Sequence, residues 1–244
     1  MRTARFFCET IVMDAGVSIS DVQFRHLTKV LRFSKGDRVE LFDGKGTVAQ
    51  AVIEKITKDA AQLKIQSLNT STPPENRRII IASSEAKAQR FELIIAKCTE
   101  LGIDRITPII FERTVKQPHG QNTLRRYDLI AVESAKQCER NFLPLIDSPQ
   151  TFKQALENLP KQYPSAKIIF GSLTKNAISI INIDSESLDV IAFIGPEGGI
   201  TESEEKMLKD LNAIPVRLTN TVLRIETAAI ATAAVLTAKR DLRG

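Results

Sequence analysis

The chain has no tryptophan, two tyrosines, two histidines and three cysteines in 244 residues. Each scarcity excludes something. Cys8, Cys98 and Cys138 are odd in number, far apart and free of any Cys-x-x-Cys pair, so no disulfide framework is expected. With His26 and His119 as the only histidines, a zinc site of the usual ligand set is excluded, and no metal is expected. No apolar run reaches the roughly 20 residues of a membrane span. The start, MRTARFFCET, lacks the apolar core of a secretion signal. The expectation is a reduced, cytoplasmic setting with no membrane partner.

What is present is ordinary in amount and uneven in placement. Hydrophobic residues make up 43% and charged residues 26%, enough apolar material for a core. The net charge of +5 is mild. Residues 1–140 carry 23 basic and 17 acidic side chains, whereas residues 141–244 carry 11 and 12. A basic first part beside a near-neutral last part points to a polyanion partner for one region and another task for the other.

The chain changes character at Asn69-Thr-Ser-Thr-Pro-Pro-Glu-Asn76, a polar double-proline stretch that reads as a linker. Before it, Val39–Phe42, Thr47–Ile56 and Ala60–Ile65 are short strands around turn signals. One helix, from an N-cap at Ser20 to about Arg32, turns Val22, Leu27, Val30 and Leu31 inward. Residues 1–72 therefore form a small β-barrel. After the linker, buried strands alternate with helices, as in α/β folds with a mostly parallel sheet. The strands are Arg78–Ala82, Ile106–Phe111, Lys167–Phe170, Val190–Ile194 and Pro215–Leu218. Phe91, Ile94, Ile95 and Cys98 recur at helical spacing on the first helix of this part, and Thr201-Glu-Ser-Glu204 is a capping box. Residues 73–244 form the second domain. Ligands of such sheets bind beyond the carboxyl ends of the strands.

Three features carry candidate chemistry. Ile194-Gly-Pro-Glu-Gly-Gly-Ile200 follows a buried strand and precedes the capped helix. It is either a plain tight turn or a cradle whose backbone approaches an anion or the polar groups of an adenosine. It is neither a Walker loop nor a GxGxxG dinucleotide turn. Leu223-Arg-Ile-Glu-Thr-Ala-Ala229 opens an alanine-rich helix against which something can pack closely. The third feature is basic: Arg2 and Arg5 near Phe6-Phe7; His26, Lys29 and Arg32 at helical spacing; Lys87 and Arg90; Gln137 and Arg140. Such side chains meet phosphates and unpaired bases.

In combination these segments are specific. His26-Leu-Thr-Lys-Val-Leu-Arg32, Lys97-Cys-Thr-Glu-Leu-Gly102, Glu133-Ser-Ala-Lys-Gln-Cys-Glu-Arg140, Ile194-Gly-Pro-Glu-Gly-Gly199 and Leu223-Arg-Ile-Glu-Thr-Ala228 occur in that order. Over nearly its whole length the chain resembles the 16S rRNA (uridine-N3) methyltransferase family, RsmE, of the SPOUT class. The resemblance implies a PUA-like barrel, a SPOUT α/β domain whose chain end is threaded into a deep trefoil knot, and a homodimer. Knots of this kind are nearly absent from proteins and no periodicity foretells one. The implied cofactor is S-adenosylmethionine, and the implied partner is 16S rRNA or the small ribosomal subunit.

The resemblance assigns the cofactor to three loops: Gly171, Ser172 and Leu173; Ile194, Gly195, Pro196, Glu197, Gly198 and Gly199; and Leu218, Thr219, Asn220, Val222 and Leu223. In the last loop, Leu218-Thr-Asn-Thr221 replaces the family's Leu-Gly-Pro-Arg, which puts the contacts of Thr219 and Asn220 in question. For catalysis, Arg224, with Arg5 or Arg140, is assigned to stabilise the uracil anion, and Glu226 or Glu197 to relay the proton or orient an arginine. Two other readings remain: a SPOUT ribose 2′-O-methyltransferase, and a non-catalytic RNA-binding assembly factor that has lost the cofactor. The uneven charge predicts salt-sensitive RNA binding and nearly salt-insensitive cofactor binding. Titrations of both ligands across a salt series check this, and RNA affinity that barely changes with salt contradicts it.

Overall fold

The computed structural model of the protein describes residues 3–13, 16–73, 75–115, 122–183 and 188–241. Its chain packs as two compact units. The first comprises the residues up to Pro73 together with Ala135–Leu143; the second comprises the rest. The sequence placed a boundary at the double proline but gave no sign that Ala135–Leu143 returns to the first unit.

The first unit is a five-stranded sheet of β1 (Arg5–Phe7), β2 (Val17–Ser20), β3 (Arg38–Phe42), β4 (Thr47–Ile56) and β5 (Ala60–Thr70), in the order β1-β3-β4-β5-β2. The expected small barrel is a curled half-barrel with β1 and β2 at its edges. Alternation along the strands turns Val39, Leu41, Ala49, Ala51, Ile53 and Leu63 inward, where they meet Phe6 and Leu27. β1 runs parallel to β3, and the other pairs are antiparallel. The Gln23 side-chain amide both donates to and accepts from the Phe7 backbone at 3.0 Å, so it stands in for a neighbouring strand.

The helix after β2 departs from expectation. Regular α-helix covers only α1 (Asp21–Arg25), and His26–Val30 forms a π-helical turn. The wider turn breaks the 3.6-residue phase. Leu27 is fully buried and Leu31 packs on the core, as expected, but Val22 and Val30 are exposed, and Phe24 and Phe33 pack on the core in their place. Ser20 makes no side-chain cap; its hydroxyl binds the Asp21 carboxylate.

The turn Asp43–Gly46 receives the returning segment. Gly46 N–H donates to Asn141 O, and Leu143 N–H donates to Gly44 O at 2.8 Å. Both glycines have positive φ, and a Cβ on Gly46 would sit 2.3 Å from Ser71 O.

The second unit is an eight-stranded sheet in which every described pairing is parallel. Its elements are β6 (Ile79–Ser84), α2 (Ala88–Glu100), β7 (Arg105–Ile110), α3 (Thr123–Cys138), β8 (Leu145–Ile146), β9 (Gln150–Thr151), α4 (Phe152–Gln162), β10 (Lys167–Gly171), β11 (Ile178–Ser179), β12 (Val190–Ile194), α5 (Glu202–Asp210), β13 (Ile214–Arg217) and α6 (Ile225–Asp241). The order is β11-β13-β10-β12-β6-β7-β8, with β9 also on β7. One side chain cluster joins Phe111, Phe152, Phe193 and Leu208, with Phe111 and Phe152 rings 5.0 Å apart. Phe91, Ile94, Ile95 and Cys98 of α2 are fully buried, as their spacing predicts.

After β13 the chain end returns toward the middle of the sheet, where α6 packs on α2, β6 and β12. Small side chains permit that approach: Ala229 and Ala233 are fully buried. The end of α6 is fastened by Arg240, which pairs with Asp104 at 3.0 Å and donates to Gly102 O at 3.1 Å. Gly46→Ala is expected to destabilise the first unit by about 1–3 kcal/mol, because it adds both a backbone penalty and a collision. Urea denaturation followed by circular dichroism checks this.

Candidate functional site

Strands β13, β10 and β12 are neighbours and parallel, so their carboxyl ends deliver three loops to one edge of the sheet. Between the loops lies a cavity of about 550 Å³, within the usual size range of small-molecule sites. The first loop contributes Gly171, Ser172 and Leu173; the second contributes Ile194 to Gly199; the third contributes Leu218, Thr219, Val222 and Leu223. Asn220 does not line it, whereas Ile200, Thr221 and Ala228, which lie in the quoted motifs but were not assigned to the cofactor, and Thr174 and Glu205, which the sequence did not single out, do.

The glycine loop is held from several sides. Gly199 N–H donates to Pro196 O at 2.8 Å, and Gly199 has a φ of 77°. A Cβ on Gly195 would sit 2.6 Å from the Ile200 side chain. Arg113 donates to Gly198 O at 2.8 Å. The capping box forms in both directions: Glu204 N–H donates to Thr201 Oγ1 and Thr201 N–H donates to Glu204 Oε2. The other Glu204 oxygen accepts from Glu112 N–H at 2.8 Å.

This arrangement corrects one expectation. The first turn of α5 holds Glu202, Glu204 and Glu205, and Glu204 occupies the helix N-terminus itself. The turn is therefore no anion site. Glu197 and Glu205 face the cavity, and among the described residues no lysine, arginine or histidine lines it. Apolar walls with two carboxylates suit a nucleoside that carries positive charge; they do not suit a pyrophosphate.

The third loop closes without the family's glycine. None of residues 218–221 has a positive φ. Thr219 Oγ1 accepts from Thr221 N–H at 3.2 Å and donates to Thr221 O at 3.0 Å. The hydroxyl supplies the turn locally, so the departure leaves the loop built.

Beside the cavity, α6 begins with two candidate catalytic residues. Arg224 is exposed, and its guanidinium has no hydrogen bond or ion pair among the described residues. Glu226 is 8% exposed. One of its oxygens lies 3.8 Å from Arg90 Nε; the other is buried with no hydrogen-bond partner among the described residues. Arg90 also donates to Glu197 Oε1 at 3.0 Å. Arg90, read from sequence as an RNA contact, is thus shared between two carboxylates.

The other basic candidates separate by burial. His26, Lys29, Arg32, Lys87 and Gln137 are exposed, and Arg2 lies outside the described residues. Arg5 is buried in the first unit, with its guanidinium 4.3 Å from the Phe42 ring centre. It donates to Arg140 O at 3.1 Å and to Asn141 Oδ1, and its Nε lies 3.0 Å from Glu40. Burial pulls its pKa below the ordinary arginine value, against the opposing pull of Glu40. The assignment of Arg5 to substrate is corrected: it fastens the returning segment to the sheet. Arg5→Ala is expected to cost about 3 kcal/mol or more of stability by leaving Glu40 without its buried partner, read as a lower urea midpoint.

Comparison with known proteins agrees with this geometry. A family profile described as RNA methyltransferase domain matches residues 73–237, and one described as RNA methyltransferase PUA domain matches residues 19–66. The ribosomal RNA small subunit methyltransferase E of Synechocystis is 31% identical over 220 residues, covering 89% of this chain and 71% of that protein. The protein of the same name from Bacillus subtilis is 28% identical, covering 86% of this chain and 85% of that protein. The structure of a ribosomal RNA small subunit methyltransferase E from Neisseria gonorrhoeae, bound to S-adenosyl methionine, superposes with a TM-score of 0.83 at 28% identity over 98% of both chains. The chain belongs to the ribosomal RNA small subunit methyltransferase E family of RNA methyltransferases.

Proposed function

We propose that this enzyme transfers the methyl group of S-adenosylmethionine to N3 of an unpaired uridine in 16S rRNA. The observation that carries the reading is the three-loop cavity with its apolar walls and two carboxylates, lined by no cation among the described residues. It fits a ligand with an uncharged adenosine joined to a sulfonium centre and a net positive charge. Ile194, Leu218 and Leu223 would wall the adenine. The backbone of Gly195 to Gly199 would approach the polar groups, and Glu197 and Glu205 would offset the positive charge. When bound, the cofactor supplies an electrophilic methyl group.

The chain's own residues then meet the demands of the acceptor. N3 lies on the pairing edge of uracil, so the base must be unpaired to be reached. Losing the N3 proton spreads negative charge onto the flanking carbonyl oxygens. Arg224 is the uncommitted cation at the start of α6, suited to stabilise that charge. Glu226 keeps one buried oxygen with no donor among the described residues, and is the carboxylate beside the cavity suited to accept the proton. His26 and Lys29, exposed on the π-helical turn, and Arg32 just after it supply phosphate contacts in the first unit. Gln137 and Lys87 extend the RNA-facing set. The family's homodimer, its threaded chain end and a cytoplasmic location belong to the same reading; the return of the chain from β13 to β6 supports the threading.

Arg224→Ala is expected to lower methylation of a 16S rRNA substrate by about 100-fold or more, with S-adenosylmethionine affinity by calorimetry unchanged. Activity within a few-fold of wild type removes Arg224 from this role. Mass spectrometry of the product nucleoside separates N3-methyluridine from a 2′-O-methyl product, and absence of cofactor binding favours a non-catalytic factor.

A further inference from the structure

Arg90 lies on α2, far in sequence from both carboxylates it meets. Its Nη1 donates to Glu197 of the glycine loop at 3.0 Å, and its Nε stands 3.8 Å from Glu226 at the start of α6. The three side chains differ in exposure: 38% for Arg90, 52% for Glu197 and 11% for Glu226. A carboxylate buried as deeply as Glu226 is costly without a nearby cation. The 3.8 Å separation is a charge contact longer than a hydrogen bond, so Glu226 has a cation beside it and still keeps acceptor capacity on Oε2. Arginine suits the task because its planar fork reaches two acceptors in different directions, whereas lysine offers one point charge.

We propose that Arg90 is a positioning residue for methyl transfer: it couples the glycine loop to the first turn of α6 through Glu197 and Glu226, and holds the buried Glu226 carboxylate in place beside the cavity with one oxygen uncommitted among the described residues. The proposal rests on the reading of Glu226 as proton acceptor. Arg90 touches neither substrate nor cofactor in this role, and acts through the two carboxylates. It follows that Arg224 and Arg90 have separate tasks: Arg224 is left for the acceptor, and Arg90 is committed to the two carboxylates.

The test is a kinetic double-mutant cycle on the full-length enzyme with a 16S rRNA substrate, using Arg90→Ala, Arg90→Lys, Glu226→Ala and the double variant Arg90→Ala/Glu226→Ala. Arg90→Ala is expected to lower kcat by about tenfold with KM for RNA changed by less than about threefold, and the double variant to be no slower than Glu226→Ala alone. Arg90→Lys is expected to recover part of the lost kcat. If Glu226→Ala is impaired but the two losses multiply, Arg90 does not act through Glu226 and the proposal is overturned. A rise confined to KM for RNA also overturns it, because that marks Arg90 as a phosphate contact. If Glu226→Ala keeps wild-type kcat, it is instead the reading of Glu226 as proton acceptor that fails. Should Arg90→Ala not fold, Glu197→Gln combined with Glu226→Ala, assayed at saturating S-adenosylmethionine so that cofactor affinity drops out, provides the same cycle from the other carboxylate: non-multiplying losses in kcat support the coupling and multiplying losses overturn it.

Discussion

Strand β12 lies between β6 and β10, all of its side chains are buried, and the site depends on that placement. A strand buried on both faces in a parallel sheet has one free outlet, its carboxyl end. There the chain turns within a few residues into the capped α5. Because β10 and β13 run the same way beside it, their loops arrive at the same edge, and the cavity follows from the strand order. The glycine turn is held in shape by Pro196 O, Arg113 and the Thr201–Glu204 box before any ligand arrives. Such preorganisation lowers the cost of binding.

Charge placement divides the work. Among the described residues the cavity lining has two carboxylates and no cation, while exposed cations, Lys29 and Arg32 among them, are spread over the first unit. The cationic and anionic ligands of the proposed reaction therefore meet surfaces of opposite character. Among the arginines, burial decides the role. Arg5 is enclosed by Phe42, Glu40 and Asn141 and acts as a fastener. Arg90 is shared between two carboxylates. Arg224 has no partner among the described residues, and a cation that must engage a developing anion has to be free to do so.

Much of the fold was legible in the sequence because its signals are local. The strands Val190–Ile194 and Lys167–Gly171, the buried face of α2 and the capping box at Thr201 each follow from neighbouring side chains. The helix after β2 was misread because a π-helical turn shifts the phase that periodicity assumes. The short strands β8, β9 and β11 are too brief for any pattern. In the site, the glycine loop and the start of α6 stood out by composition, and the loop after β10 came only from the family resemblance. Arg113 carried no local signal, since its partner Gly198 is distant in sequence.

The sequence by itself determined the division near the double proline, the alternating α/β pattern, the glycine loop and the family. Those properties live in residue order and spacing. The tertiary structure alone decided which charges are free, because a side chain's availability depends on partners brought in from distant segments. It returned Ala135–Leu143 to the first unit, buried Arg5, set Arg90 between Glu197 and Glu226, and left one Glu226 oxygen without a donor among the described residues. Burial and pairing are sums over the folded surroundings, and no window of sequence contains them.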